Sequence, residues 1–152
     1  MKIRKTSTPL LAVASILLCA ISSATDSDDE KFEQVKLNHA ALAYAKELIS
    51  KGHVVLDQKG AWGKDRPSTE FENEFIQQHG FAEYAKWYLG IDERFPENTK
   101  RRYKFPYGDF KNVHRCGVLA VQSRAGEYGY SGIENAAAQL RGMLEATSIA
   151  TR

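Results

Sequence analysis

Apolar residues recur at helical spacing along much of the chain. The first stripe begins at Leu37, continues at i+4, i+7 and i+11, and predicts a helix over residues 32–51 that ends at Gly52. Residues 54–56 form a short apolar run that fits a brief strand or a buried connector. Trp62 follows between two glycines, and in such a turn-rich passage it is interpreted as a core residue.

The middle of the chain alternates helix signals with glycine and proline. Thr69 and Glu72 have the spacing of a capping box and predict the start of a helix that ends at Gly80. A second short helix is predicted for residues 81–89. Residues 103–110 contain four aromatic residues together with a proline and a glycine, which predicts an ordered loop rather than a helix.

Two amphipathic helices close the chain. The first is predicted for residues 113–128 and ends at Gly129, and the second begins at a capping box formed by Ser131 and Glu134. Because a short turn joins them, we expect an antiparallel pair. All these elements together predict a mainly α fold, a small single domain of four to six helices with an ordered aromatic-rich loop.

The first 24 residues have the three parts of a secretory signal peptide. Basic residues precede an uncharged, mostly aliphatic run over residues 9–21, and small residues then offer a cleavage site after Ala24. A permanent span needs about 20 apolar residues, so we expect a secreted protein without a stable membrane anchor. The rest of the chain divides into an acidic leader (25–30), a single helical domain (31–146) and a C-terminal tail (147–152).

Removal of the signal peptide changes the charge balance. Three of the 21 Lys and Arg residues lie within it, which leaves 18 against 19 Asp and Glu residues and a net charge near −1. A near-neutral domain gives no general reason to expect a nucleic-acid or membrane-surface protein. Cys116 is the one cysteine outside the signal peptide, so no internal disulfide is expected, and its apolar surroundings predict burial.

The most distinctive local composition lies between residues 100 and 115. Six cationic residues accompany one carboxylate, Asp109, and four aromatic residues are interleaved with them. Cations neutralise phosphates and aromatic faces stack on bases, so this pattern is typical of an anion or nucleic-acid site. The near-neutral total charge favours the alternative that the aromatics pack inward and the charges are solvated or paired. The candidate binding residues are Lys100, Arg101, Arg102, Lys104, Lys111 and Arg115.

Catalytic and metal-binding patterns are weak by comparison. His114 and Cys116 are two residues apart, which on a helix points their side chains away from each other and prevents a local nucleophile–base couple. The glutamates of residues 70–74 do not converge as paired catalytic carboxylates would. The four histidines form neither an HExxH motif nor an i, i+4 pair, so no metal site is expected. Because no other catalytic pattern stands out, no cofactor and no catalytic residue are expected either.

The chain contains the short motifs KWYLGID at residues 86–92, TKRR at 99–102, YKFPYGDF at 103–110, HRCG at 114–117 and SRA at 123–125. Together these motifs resemble a small uncharacterised module of fungal, bacterial and phage-related hypothetical proteins. The resemblance covers about residues 53–146 and implies a common fold, but it implies no activity and no catalytic residues. The export signal departs from the cytosolic forms of this module and puts an intracellular role in doubt.

Three functions are compatible with these patterns. The export signal and the lack of a catalytic grouping favour a secreted, non-enzymatic interaction protein with a protein partner, such as a microbial effector or virulence protein that acts on a host or competitor. The first alternative is a nucleic-acid or phosphoanion-binding protein that uses residues 100–115. The second is an enzyme whose site is assembled from distant residues, with His114, Cys116 or residues 70–74 as candidates.

Overall fold

The computed structural model describes residues 34–150 of the chain, and the predicted signal peptide and acidic leader lie outside this range. Helices cover 59% of the described residues, so the predicted high helix content is confirmed. Two small sheets accompany the helices, which makes the fold a mixture of helix and strand rather than purely helical. No described helix is both long and apolar enough to cross a membrane.

Five α-helices and one 3-10 turn lie within the described residues. They are α1 (His39–Ser50), α2 (Trp62–Asp65), α3 (Thr69–Ala85), α4 (Arg115–Glu127) and α5 (Ser131–Ala150), with the 3-10 turn at Lys100–Arg102. Gly126 of α4 faces Glu134 of α5, while Arg141 farther along α5 donates to Gln122 at 3.2 Å. The helices therefore run antiparallel, as the short turn between them predicted. Helix α5 continues past residue 146, the predicted end of the domain.

The strands form one antiparallel and one parallel sheet. They are β1 (Val35–Leu37), β2 (Val54–Val55), β3 (Tyr88–Asp92), β4 (Tyr103–Pro106) and β5 (Val113–His114). Strand β3 is central in the antiparallel sheet, with β1 and β4 on either side, and β2 pairs with β5 in parallel. In the parallel pair Val55 lies opposite His114, which brings the segment after β2 next to the start of α4.

The predicted helix over residues 32–51 is wrong in its first part. Val35–Leu37 pairs with β3 as strand β1, and α1 begins only after Asn38. The Asn38 carboxamide caps α1 by accepting the Ala41 N–H at 3.2 Å, and it also donates to the backbone carbonyl of Tyr88 at 3.1 Å. This bond to a residue far away in sequence fixes the boundary, and a local apolar pattern does not reveal it.

The predicted division of the middle region is correct in part. Helix α3 consists of two helical segments that meet at Gly80, whose φ of 80° and ψ of 170° are not helical, and this is where the sequence predicted one helix to end and a second to begin. The cap, however, is the hydroxyl of Ser68 rather than Thr69, and the second segment ends at Ala85 rather than at residue 89. Residues 88–92 and 103–106 pair as β3 and β4, where the sequence predicted the end of a helix and a loop. Aromatic and apolar runs of this length suit a buried strand as well as a helix, and the pairing partner decides between them.

Buried aromatic side chains form much of the core. Tyr107 is fully buried, and its hydroxyl donates to the Lys86 carbonyl at 2.6 Å. The hydroxyls of Tyr84 and Tyr88 lie 2.6 Å apart, and the Tyr88 hydroxyl also donates to Glu72 at 2.9 Å. Every buried hydroxyl in this group thus has a hydrogen-bond partner, as burial of a polar group requires.

Candidate functional site

A cleft of about 760 Å³ opens between α2, strands β3 and β4, and α4. Asp92 is the one carboxylate among the described residues that line it. Trp62, interpreted from the sequence as a core residue, is half-buried in the wall of this cleft. The cationic lining residues come from four separate segments of the chain and are Arg66, Arg94, Arg101, Lys104 and Arg124.

Three of these cations surround one aromatic ring. The Cζ atom of Arg101 lies 4.3 Å from the centroid of the Phe95 ring. Arg94 Cζ and Lys104 Nζ both lie 5.6 Å from the same centroid. Each contact is individually favourable, and together they place three positive charges around one ring. An anion bound next to these cations would offset the local excess of positive charge.

Asp92 is already neutralised by one of the cations. Its side chain is 1% exposed and accepts two hydrogen bonds from Arg94, at 2.8 Å from Nε and 2.7 Å from Nη2. These bonds hold the pKa of the Asp92 carboxyl below its ordinary value despite burial. The other four cations of the cleft have no carboxylate partner within residues 34–150, so the cleft keeps a strong positive charge.

The backbone at the cleft wall is strained at Phe105. This residue has φ 64°, in the left-handed region that side chains other than glycine seldom occupy. Its ring packs edge-on against Tyr130 at 5.8 Å, and both residues line the cleft. Such strain persists only where the surrounding structure imposes it, and it is concentrated at binding sites.

The structure separates the six candidate residues of the basic segment. Arg101 and Lys104 line the cleft. Lys100 instead forms a 2.6 Å ion pair with Glu72 of α3. Arg102 donates to the Phe95 carbonyl at 2.8 Å, so its guanidinium holds the loop that carries Phe95.

The remaining two candidates lie away from the cleft. Lys111 is exposed, and Arg115 lines a second cavity of about 470 Å³ beside Asp57. The sequence did not point to Arg66, Arg94 or Arg124, because these residues are dispersed along the chain and only the fold brings them together. Isolated arginines carry no local signal that could have found them.

A second polar arrangement surrounds His114, whose side chain is 6% exposed. Nδ1 lies 2.9 Å from Oδ2 of Asp57. Nε2 lies 3.1 Å from Oδ2 of Asp109, which is close enough for an ion pair. The two groups are not oriented for a good hydrogen bond, however. Burial alone would lower the pKa of His114, but the two carboxylates outweigh burial and raise it.

The same carboxylate of Asp57 also holds the start of α4. Its Oδ1 accepts the backbone N–H of Cys116 at 2.7 Å, and the Cys116 thiol donates to the Gln58 carbonyl. The predicted burial of Cys116 is confirmed, since it is 4% exposed. His114 and Cys116 therefore each bond to Asp57 and its neighbours and do not form a nucleophile–base pair with each other.

The glutamates of residues 70–74 lie apart from both arrangements. Glu72 binds Lys100 and Tyr88, whereas Glu70 and Glu74 are exposed on α3. The expectation that they do not act as paired catalytic carboxylates stays a prediction.

Comparison of the chain with protein-family models, with curated proteins and with solved structures finds no match. The resemblance to an uncharacterised module stays a prediction. Support for a function therefore comes from the structure itself, from the cations of the cleft and from the polar residues around His114.

Proposed function

We propose that the protein binds a phosphorylated ligand in the basic cleft, with a phosphate group held by Arg94, Arg101 and Lys104. The convergence of these three cations within 4.3 to 5.6 Å of the Phe95 centroid carries the proposal. With Asp92 neutralising one of the three positive charges, a phosphate dianion matches the remaining two. The Arg101 guanidinium, unlike that of Arg94, is not engaged by Asp92 and can bind phosphate oxygens in a bidentate fashion.

The rest of the cleft suits a planar group attached to the phosphate. The lining also includes the aromatic residues Trp62, Tyr128 and Tyr130, together with Arg124. A volume of about 760 Å³ exceeds what a phosphate fills and falls in the usual range of small-molecule sites, roughly 300–1,000 Å³. These features together favour a nucleotide, whose base would stack on an aromatic side chain.

The binding of AMP, ATP and inorganic phosphate by isothermal titration calorimetry at low and moderate salt tests this function. Arg101→Glu reverses one charge at an exposed position in the cleft and should weaken nucleotide binding at least tenfold. Lys111→Glu makes the same change in the same basic segment outside the cleft, and it should leave the affinity nearly unchanged. Affinity should fall as salt rises, less steeply for the Arg101 variant.

Two results would contradict the proposal. One is the absence of AMP, ATP and phosphate binding at low salt. The other is an equal loss of affinity in both variants, which would reveal a response to net charge alone. Binding of single-stranded oligonucleotides without any binding of mononucleotides would favour the nucleic-acid alternative.

A second proposed role rests on the predicted export of the protein. The residues that predict export, 1–24, lie outside the part of the chain that the structure describes. The signal peptide that the sequence predicts for residues 1–24 supports the proposal of a secreted interaction protein, with a microbial effector as the specific form. Protein purified from culture medium should begin at Thr25. A native product that begins at Met1 would contradict secretion, and capture of no partner from host extracts would contradict the effector role.

A further inference from the structure

We propose that Asp57, Asp65 and His114 form a binding site for one divalent transition-metal ion. Each residue offers one ligand atom, and the three atoms lie within 4.8 Å of one another. An ion among them would have one nitrogen and two carboxylate oxygen ligands. Zn²⁺ and Mn²⁺ both accept such a mixture, whereas Ca²⁺ and Mg²⁺ prefer oxygen alone.

The surroundings of His114 resemble those of a metal-binding imidazole. Asp57 lies beside Nδ1, and Asp109 lies 3.1 Å from Nε2 on the other side of the ring. Proteins usually orient a histidine ligand with a carboxylate next to the second ring nitrogen, and Asp109 stands at that position at an ion-pair distance. Asp109 is itself held in place, because its other oxygen accepts the backbone N–H groups of Lys111 at 2.9 Å and Asn112 at 2.6 Å.

The charge around His114 provides an independent reason to expect a cation. Asp57, Asp65 and Asp109 form no ion pair with a lysine or arginine among residues 34–150. One imidazole therefore accompanies three carboxylates, and the Asp57 side chain is only 6% exposed. Burial of the Asp57 carboxylate beside two further carboxylates is costly unless enough positive charge compensates it, and a divalent ion would supply that charge.

The site combines fixed ligands with an accessible one. Asp57 and His114 are held by the parallel sheet and by the first turn of α4, whereas Asp65 lies exposed on α2. An ion could enter beside Asp65 and would keep open positions for water. The site is distinct from the basic cleft, although Trp62 lines the cleft and its ring lies 5.6 Å from that of His114.

Metal binding should be measured on protein without a histidine tag. Electron paramagnetic resonance of MnCl₂ titrations and calorimetry with ZnCl₂ should each show one ion per chain. Asp65→Asn is the deciding variant, because it removes a charged ligand at an exposed position where the fold does not depend on it. We expect at least tenfold weaker binding of both ions, comparable with the loss caused by altered metal surroundings in other proteins.

Two controls separate this site from adventitious binding. Glu70→Gln removes one negative charge from the exposed start of α3, and His53→Gln removes an exposed imidazole next to β2. Both should bind the ions as the unmodified protein does. The proposal is overturned if neither ion binds at millimolar concentration, if Asp65→Asn binds as tightly as Glu70→Gln, or if His53→Gln abolishes binding. None of these results depends on whether the cleft binds a nucleotide.

Discussion

Nδ1 of His114 lies 2.9 Å from Oδ2 of Asp57, across 57 positions of sequence. Both side chains are 6% exposed, and the same carboxylate accepts the Cys116 N–H at 2.7 Å. One aspartate thus ties the segment after β2 both to the end of β5 and to the first turn of α4. This link also positions α4, three residues of which line one wall of the basic cleft.

Removal of this link should destabilise the fold strongly. Asp57→Ala leaves a buried imidazole and a buried backbone N–H without their acceptor, and we expect the free energy of unfolding to fall by about 3 kcal/mol. Asp65→Asn changes an exposed carboxylate and should shift it by less than about 0.5 kcal/mol. Urea denaturation in the presence of EDTA measures both without any contribution from metal. Equal stability of the two variants would show that the Asp57 bonds do not hold the fold.

Two helix glycines should respond to alanine with opposite signs. A Cβ at buried Gly117 would lie 2.8 Å from the Tyr107 carbonyl oxygen and 3.1 Å from the Trp62 ring, so α4 would have to move. We expect Gly117→Ala to cost about 1–3 kcal/mol. Gly142 is an exposed position of α5 with nothing within 4 Å of an added Cβ, and Gly142→Ala should stabilise by up to about 1 kcal/mol. Thermal unfolding of both variants tests the pair, and a neutral Gly117→Ala would contradict the close packing.

The parts of the fold that the sequence predicts correctly are those with local causes. Helix α5 begins at Ser131, and its buried residues Ile133, Ala137, Leu140 and Leu144 recur at helical spacing. The end of α4 near Gly129, which has φ 74°, also follows from one residue's conformational freedom. Burial of Cys116 follows from the apolar residues next to it in the chain.

The parts that the sequence does not predict depend on distant partners. Strand β3 pairs with β1 and β4, and nothing within residues 88–92 distinguishes a buried strand from the end of a helix. The same limit applies to the candidate sites. The basic segment points to Arg101 and Lys104, but Asp57 and Asp65 carry no signal until β2 and β5 pair and bring them near His114.

Asn38 should be sensitive even to a conservative change. Its Oδ1 caps α1, while its Nδ2 donates to the carbonyls of Ala85 at 2.9 Å and Tyr88 at 3.1 Å. Asn38→Asp keeps the cap acceptor but places a carboxylate against two carbonyl oxygens, and we expect a loss of about 1–3 kcal/mol. Ser68→Asp, at the exposed cap of α3, should lie within about 0.5 kcal/mol of the unmodified protein. Equal stability of Asn38→Asp and Ser68→Asp in urea denaturation would contradict the structural role of the two bonds that Nδ2 donates.

Stability should fall at alkaline pH because of the buried tyrosines. Burial raises the pKa of Tyr84, Tyr88 and Tyr107 well above the ordinary value, which is about 10. Above that pH the unfolded chain releases these protons while the folded chain keeps them, so the free energy of unfolding decreases as pH rises. The urea midpoint should decline between about pH 8 and pH 11. Tyr107→Phe should make this decline with pH less steep, a change that titration of lysines would not produce. A constant midpoint, or tyrosinate absorbance from all three residues in the folded protein near pH 10, would contradict their burial.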